Sequence, residues 1–480
     1  MKRREFIKSA GLLSASYAMP SLLWKQSAYA ALPSGIQYQA PSVMPKLINV
    51  FLYGGPSELA GNLSNIEEIN ANSQNLYPSY LDPNNVNGSV TKNNFWGPDS
   101  AGNNSAGGDI MEELIAAGDM SIYRTINRVL DDNKGHGRSV TQNLVGNQDI
   151  SYPGIATNLA AILAKHNPFG KALEDMVLPV VTFEGNSVIF NLGDVDIPLA
   201  LRPFALDANF NNPYERAQNS NLGSYVDNVN EHDTALEELA RKVSSSFGVK
   251  HQKINDAFSK RGELSQFINA NFNQTVVDAN LPVGALDDPD TDAVTGRLIY
   301  PATNFGSRLK AAVSLAISNQ DTFLINLGSG GLGGWDDHSD ALGDYAQRMQ
   351  SLMAALRCAI KHMKWLGHNN IVINVYGDFG RNVNLNNAGG WDHGNNQNLY
   401  TLGGWSLNNQ GRRLGKLVGV TERVGTPFQN RQFTSPTTDS YQCEPFAIAA
   451  TIYKYFGIQN PELLTAVSAI DEVNAVNQFV

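Results

Sequence analysis

Five short β-branched or apolar runs constrain the fold more than any other feature of this chain. They cover residues 47–53, 121–124, 177–183, 322–327 and 371–376. A strand with one face in water alternates apolar and polar side chains, whereas a continuously apolar strand is covered by protein on both faces. Between the runs the apolar spacing turns helical, over residues 110–117, 154–165, 233–243, 254–270, 305–317, 345–366 and 445–456. Doubly buried strands alternating with helices imply an α/β fold, a mostly parallel central sheet with helices on both faces. Ligands of such sheets bind beyond the carboxyl ends of the strands. Asn-, Gly- and Ser-rich stretches at 84–108 and 209–230 read as loop insertions in a single domain spanning residues 31–480.

Carboxylates and imidazoles cluster where these strands should end. Gly333-Gly334-Trp335-Asp336-Asp337-His338 follows the run at 322–327 through a glycine-rich stretch. The run at 371–376 leads into Gly377-Asp378-Phe379-Gly380-Arg381, and Gly389-Gly390-Trp391-Asp392-His393-Gly394 comes next. The chain has only 8 histidines, and two of them stand in these matching Trp-Asp contexts. Oxygen and imidazole donors suit Zn²⁺ or Mn²⁺, and glycine lets the backbone turn sharply beside an ion. Asp336, His338, Asp378, Asp392 and His393 are therefore the candidate metal ligands. Each has a local alternative: Asp336 as a helix cap, Asp378 in a turn paired with Arg381, and Asp392-His393 in a tight turn with a surface imidazole.

Other residues fit a role beside such an ion. Arg381, or Arg138, offers a fork-shaped donor to a substrate oxyanion. The segment from Asp131 to Thr141 follows the second run and opens a helix, which brings His136, Ser139 and Thr141 to a helix N-terminus. A hydroxyl there is positioned to meet an anionic ester, with Ser139 or Thr141 as nucleophile and His136 as helper. Capping of the helix by these polar residues is the alternative. After the first run, Gly54-Gly55-Pro56-Ser57-Glu58 offers Glu58 as a further ligand.

Charge and the chain's start narrow the setting. Lys2-Arg3-Arg4-Glu5-Phe6-Ile7-Lys8 has the twin-arginine pattern, a weakly apolar stretch follows, and Ala28-Tyr29-Ala30 is a small-x-small cleavage site. Residues 1–30 are thus expected to be a signal peptide for the twin-arginine export machinery, leaving a periplasmic or secreted protein. That segment carries +4 of a net charge of −10, so its removal leaves −14. So acidic a chain is a poor partner for nucleic acid. No apolar run approaches the length of a bilayer span, so stable membrane insertion is not expected. With 2 cysteines, Cys358 and Cys443, a disulfide framework is excluded, although one bridge is not. Asp288, Asp290 and Asp292 alternate as in a calcium loop, but Ala293 replaces the required glycine and no bidentate Glu follows. A solvated acidic loop is the expectation there.

Together these segments resemble the bacterial family labelled domain of unknown function 1501, which is similar to the alkaline phosphatase and sulfatase superfamily. The resemblance covers nearly the whole chain after residue 30. It implies an alkaline-phosphatase-like fold and two metal ions flanking a hydroxyl nucleophile. By that likeness Asp336 and His338 would share one ion with His393, and Asp378 would serve the second. Two departures stand out. Asp378 replaces the family's usual Glu, and Gly54-Gly55-Pro56-Ser57 lacks the acid of the family's Gly-Gly-x-Asp loop. The function so implied is an exported metal-dependent hydrolase of small-molecule or glycan phosphate or sulfate esters. The alternative is a non-catalytic exported binding protein that keeps the hydrolase fold.

Overall fold

A computed structural model describes residues 32–57, 95–96, 106–131, 133–208, 238–239, 241–242, 267–268, 270–272, 274–425 and 432–475. Residues 1–30, Glu58, and most of the segments 84–108, 209–230, 233–243 and 254–270 lie outside them. Twelve strands are found among the described residues. In chain order they are β1 (Lys46–Leu52), β2 (Met120–Asn127), β3 (Val180–Thr182), β4 (Phe204–Ala205), β5 (Leu324–Gly328), β6 (Ile371–Gly377), β7 (Arg381–Leu385), β8 (Trp391–His393), β9 (Asn396–Gly403), β10 (Leu417–Val418), β11 (Thr421–Gly425) and β12 (Gln432–Pro436). The α-helices are α1 (Gly108–Ala116), α2 (His136–Val145), α3 (Ile155–His166), α4 (Gln274–Asn280), α5 (Asn304–Ser318), α6 (Ala341–Trp365), α7 (Phe446–Tyr455) and α8 (Glu462–Thr465).

Eight strands form one sheet in the order β10-β2-β9-β6-β1-β5-β3-β4. All its pairings are parallel except the two made by β9, which runs antiparallel to both β2 and β6. The expected α/β architecture is therefore borne out. Alternate residues of one strand feed two cores: Ile48, Val50 and Leu52 pack with α1, α5 and α6, while Leu47 and Phe51 pack with α3 and α7. Period-2 geometry sends successive side chains to opposite faces, so a strand apolar throughout needs helices on both sides.

The polar strand β9, missed by the apolar pattern, owes its burial to internal hydrogen bonds. Asn396 Nδ2 donates to the Arg124 carbonyl at 2.7 Å, and Thr401 Oγ1 donates to Asn374 Oδ1 at 2.5 Å. Buried polar side chains of this kind are tolerated only when so partnered. Two further expectations change. Asp290 is buried rather than solvated: Arg357 pairs with it, and Lys361 of α6 donates both to it and to the part-exposed Asp288. Asp392 and His393 lie not in a tight turn but in β8, paired with β7 through Arg381 and His393. Both cysteines are free. No helix among the described residues is long and apolar enough to cross a membrane.

On α6, His362 is buried, with Nδ1 3.0 Å from the Tyr300 hydroxyl. Burial, with a smaller push from His368 and Lys310, holds its pKa down at about 3, against an ordinary 6.5. In the unfolded chain His362 takes up a proton as pH falls through 6.5, while in the fold it stays neutral. Its contribution is therefore intact above 6.5 and is lost toward pH 3, at about 1.4 kcal/mol for each pH unit. His362→Gln is expected to flatten the acid side of the melting-temperature profile between about pH 6 and pH 4. Parallel slopes for the two proteins would refute this.

Candidate metal centre

The sheet's strand directions decide which residues meet. The parallel strands β1, β5 and β6 end at one rim, and β2 points the same way because β9 is antiparallel to both β2 and β6. The loops after β1, β5 and β6 thus deliver Gly54, Asp336 with His338, and Asp378 to this rim, and the turn after β2 delivers His136. Because β9 is reversed, its amino end lies at that rim too, and His393 comes just before it. Close approach of these loops needs glycine. Gly54 has φ +112°, and a Cβ there would sit 2.5 Å from the Asp336 nitrogen. A Cβ at Gly390 would collide with the His338 carbonyl carbon.

At the rim, His136, Asp336, His338 and His393 each offer one donor atom, and these four atoms lie within 4.8 Å of one another. Asp336 Oδ1 is the focus: His136 Nε2 lies 3.1 Å away, His338 Nε2 3.0 Å and His393 Nε2 4.0 Å. His338 Nε2 and His393 Nε2 are 3.1 Å apart. Each imidazole's other nitrogen faces an oxygen outside the cluster. His136 Nδ1 is 2.8 Å from Asp378 Oδ2, His393 Nδ1 donates to the Lys134 carbonyl at 2.6 Å, and His338 Nδ1 lies 3.6 Å from Asp392 Oδ1. A carbonyl can only accept, so His393 carries its proton on Nδ1 and turns the lone pair of Nε2 inward. Oxygen acceptors behind imidazoles are the arrangement that orients histidines around an ion. Three inward nitrogens and a carboxylate oxygen form a donor set that fits a divalent ion such as Zn²⁺.

Electrostatics act on these donors in opposite directions, favouring ligation by His393 and Asp336 and opposing it at His136. Burial, aided by Arg381, pushes the His393 pKa down to about 4, so it is neutral at physiological pH. The hydrogen bond that His136 Nδ1–H donates to Asp378 is the main cause of a raised His136 pKa. Burial raises the Asp336 carboxyl, but the hydrogen bond and charge of Arg381, with His136 and His338, outweigh it and hold the group below its ordinary range.

The remaining candidates take other places. Asp378 is buried and lies behind His136; burial pushes its carboxyl up against the opposing bonds from His136 and the Gly54 N–H. Its backbone is held in turn, because Asn143 Nδ2 donates to the Gly377 and Asp378 carbonyls at 2.7 and 2.9 Å, and Arg128 Nη2 donates to Asp378 O at 3.3 Å. Asp392 stands behind His338. Arg381 is fully buried and spends its donors inside the protein, on the carbonyls of Gly54, Gly55, Trp335 and Trp391 and on Asp336 Oδ1 at 2.7 Å. Arg138 is tied to Asp131. Ser139 is buried and its hydroxyl donates to the Asn133 carbonyl, while that of Thr141 donates one turn back to the Gly137 carbonyl. Neither hydroxyl is bonded to the cluster. Glu58 lies outside the described residues, and Ser57 beside it is buried.

The sequence argument gave His136 only a helper's part, although it sits with the donors. Its signal was present in the glycine-flanked Gly135-His136-Gly137, but the run of strands that puts β2 and β6 at one rim passes through the polar β9.

Comparison with solved structures finds distant likenesses. The crystal structure of Ps i-CgsB in complex with k-i-k-neocarrahexaose is 9% identical, with a TM-score of 0.37, covering 89% of this chain and 75% of that one. The alkaline phosphatase from the Antarctic bacterium TAB5 is 9% identical, with a TM-score of 0.28, covering 76% of this chain and 92% of that one. Scores this low establish neither shared activity nor shared substrate. No curated protein matches the chain in sequence. A family does: residues 44–440 match, and the chain belongs to the family described as Protein of unknown function (DUF1501).

Proposed function

We propose that this chain is an exported, divalent-metal-dependent hydrolase of phosphate or sulfate esters. The observation that carries the reading is the convergence of His136, Asp336, His338 and His393 within 4.8 Å, with oxygen acceptors behind the imidazoles. These four residues would hold the ion, with Zn²⁺ or Mn²⁺ matching three imidazole nitrogens and a carboxylate. Such an ion supplies Lewis-acid polarisation of an ester oxygen and lowers the pKa of water. The chain's own residues hold the geometry. Asp378 and the Lys134 carbonyl orient His136 and His393, and Arg381 fixes Asp336. With the Ser139 and Thr141 hydroxyls committed elsewhere, we assign the attacking group to water, which adds to phosphorus or sulfur as the alcohol leaves. The twin-arginine pattern at Arg3-Arg4 supports export.

The same committed hydroxyls favour a second reading, an exported protein that binds metal and ester without turning it over. Metal analysis of purified protein, then turnover of aryl phosphates and sulfates beside the Asp336→Ala variant, separates the two. Metal without turnover selects the binding protein, and the absence of both removes the metal centre itself.

Asp378→Asn probes the support behind His136. The amide keeps the shape but loses the charge that the imidazole's Nδ1–H meets. Loss of such a partner typically weakens metal binding about 10- to 100-fold. A competition titration with a fluorescent chelator should read that drop; unchanged affinity would remove Asp378 from the centre.

A further inference from the structure

Helix α2 meets the end of β6 at two levels. His136 and Asn143 stand seven residues apart, two turns of helix, so both project from one face of α2 about 10 Å apart along its axis. At the first level His136 Nδ1 faces Asp378 Oδ2 at 2.8 Å. At the second, Asn143 is buried, and its amide nitrogen donates to the carbonyls of Gly377 and Asp378 at 2.7 and 2.9 Å. Its amide oxygen is used as well. Arg128, buried just after β2, donates to it from Nη2 at 2.6 Å and to Gln142 Oε1 from Nη1 at 2.6 Å. Gln142 donates in turn to Asp131 Oδ2 at 2.7 Å, which ties the turn before α2 into the same network.

The Asp378 carboxylate is held through one oxygen. Oδ2 meets His136 and accepts from the Gly54 N–H at 3.2 Å, whereas Oδ1 has no hydrogen-bond partner. The position of Oδ2 is therefore inherited largely from the backbone of residues 377–378, and Asn143 fastens that backbone to the helix that carries His136. An amide supplies two donors and an acceptor at once; a carboxylate of the same shape would keep the acceptor for Arg128 but turn an oxygen toward two carbonyls. We infer that Asn143, fixed by Arg128, is a positioning residue for the metal centre. It sets the separation of His136 Nδ1 from Asp378 Oδ2, and with it the tautomer that keeps the Nε2 lone pair turned toward Asp336. The consequence for ligation rests on the metal-dependent reading; the clamp itself does not.

Two readouts separate positioning from stability. In the full chain, held in EDTA at alkaline pH, two-bond nitrogen–proton correlation spectra report which ring nitrogen of each histidine carries the proton, with His136 assigned from a His136→Gln variant. Native His136 is expected in the Nδ1–H form, and Asn143→Ala and Asn143→Asp should each shift it to a mixture of both forms. Asn158→Ala removes a buried amide of the same kind from α3, where it donates to the Pro153 carbonyl and the Tyr453 hydroxyl, and should leave the His136 signature as in the native chain. In zinc competition titrations Asn143→Ala should bind about 10-fold more weakly, and the same change should cost little more in Asp378→Asn protein, because both act on one pair. Circular dichroism checks folding; should Asn143→Ala not fold, Asn143→Asp carries the test, since it keeps the volume and the contact with Arg128. A native His136 tautomer in the folded Asn143 variants, or zinc losses that simply add to those of Asp378→Asn, would overturn the positioning role. A shifted tautomer in a chain that binds no zinc would support the clamp and count against the metal centre alone.

Discussion

Asp336→Ala protein is expected to hold zinc or manganese at least about 100-fold more weakly than the native chain and to lose ester turnover with it, since removing a ligand costs no less than removing its support. Asp336 Oδ1 is the atom on which the three imidazoles converge, at 3.1, 3.0 and 4.0 Å. Without it the inward nitrogens face only each other and the guanidinium of Arg381, a cation already in place 3.4 Å from His338 Nε2. The fold should survive. Asp336 is about half exposed, and Arg381 keeps its four carbonyl acceptors. Metal content after dialysis, a competition titration and aryl ester turnover measure the effect, with circular dichroism as the folding control. Equal metal content and equal turnover in the two proteins would sink the metal centre as drawn.

Arg381→Met should act the other way round, on stability first. The guanidinium is fully buried and joins the loop after β1, the loop after β5 and strand β8 through the carbonyls of Gly54, Gly55, Trp335 and Trp391. Methionine fills similar volume but donates nothing, so four inward carbonyls lose a partner. At about 1–3 kcal/mol for each buried group left unsatisfied, the loss should be roughly 4 kcal/mol or more. That is a large share of the stability of an ordinary domain. Arg381→Lys should recover little of it, because one ammonium cannot reach acceptors spread around a planar fork. The urea midpoint is the measurement; a loss under about 1 kcal/mol would show that the loops are held by other contacts. Arg381 thus spends its donors inside the protein, rather than leaving them free for an oxyanion as its Phe-Gly-Arg setting suggests.

The parts of this protein that can be read from its residues one segment at a time are those governed by local periodicity. Continuous apolar runs specify β1, β5 and β6 and call for helices on both faces, because only protein can cover both sides of such strands. Turn chemistry likewise marks the glycine-flanked Asp336, His338 and His393 as special. The polar strand β9 escapes this logic, since Asn396 and Thr401 are paid for by partners on other strands, 272 and 27 positions away. With β9 unseen, so was its reversed direction, which places its amino end at the rim where His393 and His136 meet. Tertiary structure alone decided that His136 stands among the donors, that Asp378 and Asp392 stand behind them, and that Ser139 and Thr141 turn their hydroxyls to the backbone. The physical reason is range: periodicity acts over a few residues, whereas the three segments that carry the donors meet through contacts that span 55, 57 and 200 positions of the chain.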